Sequence, residues 1–392
     1  MKLRTTIAVV MLFACAALAQ AADGVQFITV TSWQQALDLA KAQNKPIFLD
    51  AYTDWCGWCK VMDRETFSDP EVAAVMNAAF VNVKMEMETG EGVDVAMKYR
   101  ITGFPTFMVF AVDGTPTFRT FGYQPPKDWL ATLADMQDAS KRRTMAGVTP
   151  SITLPWPDWH RASFVKGKER RFPDTALVRS WFRSQPDKFN EVSFGVLLRH
   201  DMGEEIEQWA LANEAQYRRL YGDDVDDLRE GLVRRALSRA IMNKDVALLQ
   251  QAKDLVPGRD PQSRARTHRR LEATYRERTN DWKGVGGMVQ TIANSADLAS
   301  EAEYLNELSW SIYEKTDDAD AIAAAIDGMS KVVALPDVDW AHVDTYAALL
   351  YKAGRLTEAR AAAERAITRG TAQGADVSET EELLAKIKAA SK

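Results

Sequence analysis

The chain has 392 residues, enough for two or three domains with apolar cores of their own. With 46% hydrophobic and 27% charged residues it has a globular composition, which sets aside disorder and fibrous repeats. A formal charge of −6 at pH 7 argues against nucleic acid as a partner, and three cysteines are too few for a disulfide framework, so those that matter are expected to serve chemistry.

Residues 1–21 read as a secretory signal: Lys2 and Arg4 precede an apolar run of 13 residues over 7–19, and Ala19-Gln20-Ala21 has small-x-small spacing. The run is shorter than the roughly 20 residues a spanning helix needs, so no integral membrane segment is expected after signal removal. An exported product, periplasmic or extracellular, follows; the alternatives are an uncleaved anchor or lipoprotein processing at Cys15. Removing residues 1–21 leaves only Cys56 and Cys59.

From 22 to 140 strands and helices alternate. Residues 25–30 read as a strand, and Thr31 or Ser32 with Gln34 or Gln35 opens a helix ending at Asn44. Residues 46–52 are apolar enough for a central strand buried on both faces, with Asp50 its only charge. A helix is expected from Cys56, and Ser68-Asp69-Pro70-Glu71 starts another. Residues 80–85, 106–112 and 117–121 read as strands, the last two joined at Asp113-Gly114, and 127–138 as a closing helix. Residues 141–200 are expected to form a linker or wrapping segment, irregular to about 185 because Pro150, Pro155, Pro157, Pro173 and Pro186 break any long element.

Residues 201–392 read as helical. The Arg264-Ala265-Arg266-Thr267-His268-Arg269-Arg270 stretch is read as a solvated helix face. Residues 305–313 match 343–351 at an offset of 38, whereas Ala325 and Met329 match Ala359 and Ala363 at 34, which predicts a turn four residues longer in the first copy. With Ala347, Ala366 and Gly354, this end of the chain resembles tetratricopeptide repeats, whose concave faces take peptides or helices.

Trp55-Cys56-Gly57-Trp58-Cys59-Lys60 follows the buried strand and opens a helix. Unpaired N–H groups and the positive end of the helix dipole stabilise an anion there, so Cys56 is expected to ionise readily and attack a disulfide. Cys59, one turn on, can then attack the mixed disulfide and release a reduced partner.

Residues 25–139 resemble the thioredoxin family, and Trp58-Cys59-Lys60-Val61-Met62 resembles its exported or vesicular members, since the usual proline between the cysteines is missing. The resemblance implies an α/β thioredoxin fold, a mixed sheet flanked by helices, followed here by the helical-repeat region. It implies that Asp50 takes or relays the proton of Cys59, that Lys84 accompanies Asp50, and that Lys98-Tyr99-Arg100-Ile101-Thr102-Gly103-Phe104-Pro105 ends in a cis-proline facing the cysteines, with Gly122 after the last strand. Cis geometry is cheap only before proline, and such a turn offers the Phe104 backbone to an extended substrate. Trp55, Gly57 and Trp58 lie beside the sulfur, the tryptophans as apolar area for Cys-containing segments; for Trp58 the alternative is packing against the helical region.

The expected function is an exported thiol-disulfide oxidoreductase acting on Cys-containing proteins, in the reducing direction, with an upstream protein exchanging electrons with it. Its redox centre would be the Cys56–Cys59 disulfide, with no other cofactor. The alternatives are a scaffold carrying a thioredoxin-fold module, or Cu(I) held by the two thiolates. Zinc is not expected, because His160, His200, His268 and His342 are scattered along the chain.

Overall fold

The computed structural model describes residues 24–257 and 260–391, so residues 1–21, read above as a secretory signal, and Cys15 lie outside the described residues. The chain divides into two compact units, Met1–Leu228 and Arg229–Lys392.

In the first unit, β1 (Ile28–Thr29), α1 (Trp33–Gln43), β2 (Ile47–Tyr52), α2 (Gly57–Val61), α3 (Pro70–Ala79), β3 (Val81–Glu86), α4 (Gly92–Lys98), β4 (Thr106–Phe110), β5 (Pro116–Phe121) and α5 (Pro126–Gln137) follow in order. The sheet runs β1-β3-β2-β4-β5. β1, β3 and β2 are parallel, β4 is antiparallel to β2, and β5 is antiparallel to β4. This is the mixed sheet of a thioredoxin fold.

Local signals explain most of these boundaries. Ser32 caps α1 by accepting the Gln35 N–H, and Asn44 closes it in a left-handed conformation at φ 48°. Asp69 caps α3, accepting from Glu71 and Val72, with Pro70 at the first helical position. Asp69→Ala removes both bonds and is expected to cost about 1 kcal/mol in chemical denaturation.

Period-two alternation along β2 sorts the core. Ile47, Leu49 and Ala51 meet Trp33, Ala36 and Ala40 of α1 and Val93, Ala96 and Met97 of α4. Phe48 faces the other way, with Phe107, Met62 after α2, Val72 and Met76 of α3, and Trp129 and Leu133 of α5. Asp50, two residues from Phe48, therefore projects to the face covered by α2, α3 and α5.

Two sequence expectations need correction here. Of residues 25–30 only Ile28–Thr29 pair as a strand. The Val25 N–H bonds the Phe67 carbonyl and the Gln26 N–H bonds Asn77 Oδ1, so these donors are diverted from the ladder. α4 was not anticipated: its start carries no side-chain cap. Its first residue, Gly92, is required there, because a Cβ would overlap the Glu86 carbonyl.

After α5 the chain returns to the sheet. The Arg143 N–H bonds the Thr117 carbonyl on β5 at 2.8 Å. Met145, Val148, Ile152, Trp156, Phe164 and Val165 then pack on the core beneath α1 and α4. α6 (Asp158–Arg161), α7 (Thr175–Ser184), α8 (Glu191–Arg199), α9 (Gly203–Ala212) and α10 (Glu214–Tyr221) follow.

The rest of the chain is helical: α11 (Val225–Asn243), α12 (Val246–Asp254), α13 (Pro261–Arg278), α14 (Trp282–Ala293), α15 (Leu298–Lys315), α16 (Ala319–Val332), α17 (Trp340–Lys352), α18 (Leu356–Gln373) and α19 (Ser378–Ala390). α14 packs on α16, α15 on α16 and α17, and α17 on α18. Ala321, Ala325, Ala347, Ala359, Ala363 and Ala366 are buried along these contacts and let the helices approach closely. Arg264, Arg266 and Arg270 of α13 are exposed, as a solvated face requires. The longer turn expected in the first copy is absent: residues 316–318 join α15 to α16 and 353–355 join α17 to α18. Four residues make about one helical turn, so the first pair takes them up as extra helix while keeping the same faces inward.

Candidate active site

The candidate site is built at the end of β2. The chain leaves the sheet at Tyr52, the Cys56 N–H bonds the Thr53 carbonyl at 3.0 Å, and Cys56 becomes the N-cap of α2. Cys56 Sγ accepts the Cys59 N–H at 3.0 Å, using one of the donors a helix start leaves unpaired. Cys56 and Cys59 are joined by a disulfide, with their Cα atoms 5.3 Å apart. The helix continues as a π-helical turn over Met62–Thr66.

Each cysteine is only 4% exposed, whereas Trp55 is 59% and Trp58 61% exposed. The sulfurs are thus recessed in a surface whose accessible apolar area is tryptophan. Trp58 stacks on Tyr123 with centroids 5.5 Å apart, and the Tyr123 hydroxyl donates to Glu65 at 2.8 Å. Trp55 stands edge-on to Phe104, centroids 6.0 Å apart and planes at 85°, and its indole N–H donates to Glu88 at 2.8 Å. Gly57, the first residue of α2, has open space where a Cβ would be.

The Phe104–Pro105 peptide is cis. The Gly122 N–H bonds the Pro105 carbonyl at 2.9 Å, and the Thr106 hydroxyl donates to the Gly103 carbonyl at 2.7 Å. The edge contact between Trp55 and Phe104 brings this turn beside the cysteine motif. The segment leading into it is anchored by two buried cations. Lys98 Nζ lies 2.8 Å from Glu191 of α8 and donates to the Thr149 hydroxyl at 2.8 Å. Arg100, at φ 55°, pairs with Asp224 and lies over the rings of Phe194 and Tyr221.

Asp50 is 1% exposed, and its Oδ1 is buried without a hydrogen-bond partner. Its Oδ2 lies 3.1 Å from Lys84 Nζ. Burial outweighs the attraction of Lys84 and pushes the Asp50 pKa up from 3.8 to about 6. Lys84 also pairs with Asp63, on the turn after α2. Its own pKa is raised: burial lowers it, but the charges of Asp50 and Asp63 and the hydrogen bonds to them prevail.

Sequence reasoning named Asp50, Lys84 and the cysteines but missed Asp63, Glu88 and Tyr123. Asp63 lies four residues after Cys59, one helical turn, a spacing that could have pointed to it. Glu88 and Tyr123 meet the tryptophans across gaps of 33 and 65 residues, for which the chain carries no local signal. Among the described residues no cluster of three or more potential ligands could hold a metal ion.

The family model Thioredox_DsbH, described as "Protein of unknown function, DUF255", matches residues 17–142. The thiol:disulfide interchange protein DsbD of Escherichia coli (strain K12) is 34% identical over 116 residues, which is 29% of this chain and 20% of that protein. The chain thus spans about a fifth of the length of the curated relatives it matches. Among solved structures, a thioredoxin from Thermus thermophilus is 28% identical, with 29% of this chain and 87% of that chain covered and a TM-score of 0.27. The C-terminal domain of Neisseria meningitidis DsbD, in the oxidised form, is 27% identical over 26% of this chain and 90% of that chain, with a TM-score of 0.23. A C-x-x-C disulfide at a helix start in this fold is the equipment of a thiol-disulfide oxidoreductase. Residues 17–142 thus match the thioredoxin-like DsbH/DUF255 family model, and the chain carries the Cys56–Cys59 disulfide within that stretch and a large helical region after it.

Proposed function

We propose that the protein is an exported thiol-disulfide oxidoreductase that reduces disulfides in Cys-containing proteins and is itself re-reduced by an upstream protein. The observation that carries this reading is the Cys56–Cys59 disulfide at the start of α2, with Cys56 Sγ already accepting a helix N–H.

In the reduced protein the Cys56 thiolate attacks a substrate disulfide. A bond forms from Cys56 Sγ to one substrate sulfur, the substrate S–S bond breaks, and the departing thiolate takes a proton from water. Cys59 then gives up its proton and attacks Cys56 Sγ. The internal disulfide forms, the mixed disulfide breaks, and the second substrate thiolate leaves, so two electrons pass from the dithiol to the substrate. Asp50, with a pKa near 6, is ionised at neutral pH and suited to take the Cys59 proton. The exposed faces of Trp55 and Trp58 and the turn at Phe104–Pro105 would receive the substrate chain as a short added strand.

Export is supported by the basic start and apolar run of residues 1–21, and no described helix is long and apolar enough to cross a membrane. The curated relatives are named for thiol:disulfide interchange, which supports redox partner proteins. The C-terminal helices, read as tetratricopeptide-like, would recruit such a partner. They carry a cavity of about 600 Å³ with an apolar floor at Ile322 and Ile326 and charges at Asp327, Lys352 and Arg355. The reading is tested by assaying reduction of a model protein disulfide with dithiothreitol as electron source, in the wild type and in the Cys56→Ser and Cys59→Ser variants.

A further inference from the structure

We propose that Arg170, which lies beyond the thioredoxin-like sheet, is a positioning residue for the dithiol site and acts through Glu88 and Trp55; the proposal rests on the reading of the protein as a dithiol reductant. Glu88 follows β3 and is 4% exposed. Its two oxygens are divided between two partners: Oε1 pairs with the Arg170 guanidinium, and Oε2 accepts the Trp55 indole N–H at 2.8 Å. A carboxylate this far from water is held where it is by the cation facing it.

Arg170 is itself fixed. Its Nε donates to the Val165 carbonyl at 3.1 Å, and the next N–H, of Arg171, bonds the Ala162 carbonyl at 2.8 Å. The same segment is tied down by Phe164 and Val165 on the sheet core, by Arg161 on Asp94, and by Lys166 on Asp54 at 2.5 Å. It therefore reaches the site at two residues, Asp54 next to Trp55 and Glu88 at the N–H edge of its indole. The line of contact runs from Arg170 to Glu88, to Trp55, and on to Phe104 at the cis-proline turn.

Without Arg170 the Glu88 carboxylate loses its ion pair, and although Arg199 also attracts it, the acceptor of the indole N–H is no longer fixed. Trp55, more than half exposed, then keeps only its edge contact with Phe104. A peptide laid against the ring loses its alignment, whereas the sulfur chemistry does not depend on that ring. The effect should fall on peptide binding and spare small disulfides.

The test uses the full chain in reduced form, with a Cys-containing peptide disulfide and, separately, oxidised β-mercaptoethanol. Arg170→Gln is expected to raise KM for the peptide about three- to tenfold while kcat and the small-disulfide rate stay within about twofold. Trp55→Phe should raise the peptide KM by a similar factor, and the double variant should be no worse than the poorer single one. A wild-type KM in Arg170→Gln, equal losses on both substrates, or effects that multiply in the double variant would overturn the proposal. If Arg170→Gln does not fold, Glu88→Gln decides, because its amide oxygen still accepts the indole N–H and leaves no buried charge. In that background Arg170→Gln should change KM by less than about twofold, and a larger change overturns the proposal. A wild type that reduces neither substrate, or a Cys56→Ser variant that still does, sinks the reductant reading and this proposal with it. Normal wild-type activity with an unaltered Arg170→Gln sinks the positioning role alone.

Discussion

Serine in place of Cys56 is expected to bring reduction of a protein disulfide down to the uncatalysed background, a loss of about a thousandfold or more, the scale on which removal of a nucleophile acts. Exchange begins only when a thiolate reaches a disulfide sulfur, and a serine hydroxyl at the start of α2 supplies no such nucleophile at neutral pH. Cys59→Ser should fail differently. Its Cys56 still attacks, but nothing resolves the product, so covalent adducts with substrate should accumulate and disappear on treatment with dithiothreitol. Non-reducing electrophoresis separates the two variants: adducts with Cys59→Ser, none with Cys56→Ser. Full activity in Cys56→Ser would exclude the mechanism and favour a scaffold whose thioredoxin-fold part is only a folded module.

The second large effect is expected at Asp50, where stability and activity should move in opposite directions. Its folded-state pKa is raised from 3.8 to about 6, so the folded protein holds this proton more tightly than the unfolded chain does. Stability therefore falls as pH rises from about 4 to 6, and the full deficit, about 3 kcal/mol, is present above that window. Asp50→Asn removes the buried charge and should stabilise the oxidised protein by up to about 3 kcal/mol at pH 8, with little gain at pH 3.5. Urea unfolding of both proteins at the two pH values measures this; an equal gain at both would mean that burial of the charge is not the cause. The same substitution removes the proposed acceptor of the Cys59 proton and should slow resolution of the mixed disulfide by about a hundredfold at pH 7, which single-turnover kinetics reads directly. The chain retains a carboxylate that costs it stability, as expected where the group serves chemistry.

What the sequence revealed of this molecule follows from how locally each feature is determined. β2 was legible because an apolar run with one acid is unusual, and α1 and α3 because their caps lie within four residues of the groups they satisfy. The cysteine pair was legible from its place after a buried strand, and the cis-proline from the resemblance alone. The supports of the site were not legible. Glu88 is joined to Arg170 across 82 residues, Lys98 to Glu191 across 93, and Arg100 to Asp224 across 124. In sequence each of these looks like an ordinary surface charge; only folding shows that it is paired, and that Glu88, Lys98, Arg100 and Glu191 are buried. The four-residue difference between the last helix pairs misled for a related reason, since an offset between repeats does not say whether the extra residues lengthen a turn or add one turn of helix.

All of the chemistry depends on Cys56 being an unusually acidic thiol, stabilised by the helix N–H that its sulfur accepts in the disulfide form. The direct measurement is the pH dependence of alkylation of reduced Cys59→Ser protein, in which Cys56 is the only remaining thiol of the C-x-x-C pair. The account predicts a midpoint well below the roughly 8.5 of a free cysteine. A midpoint at or above that value would contradict it.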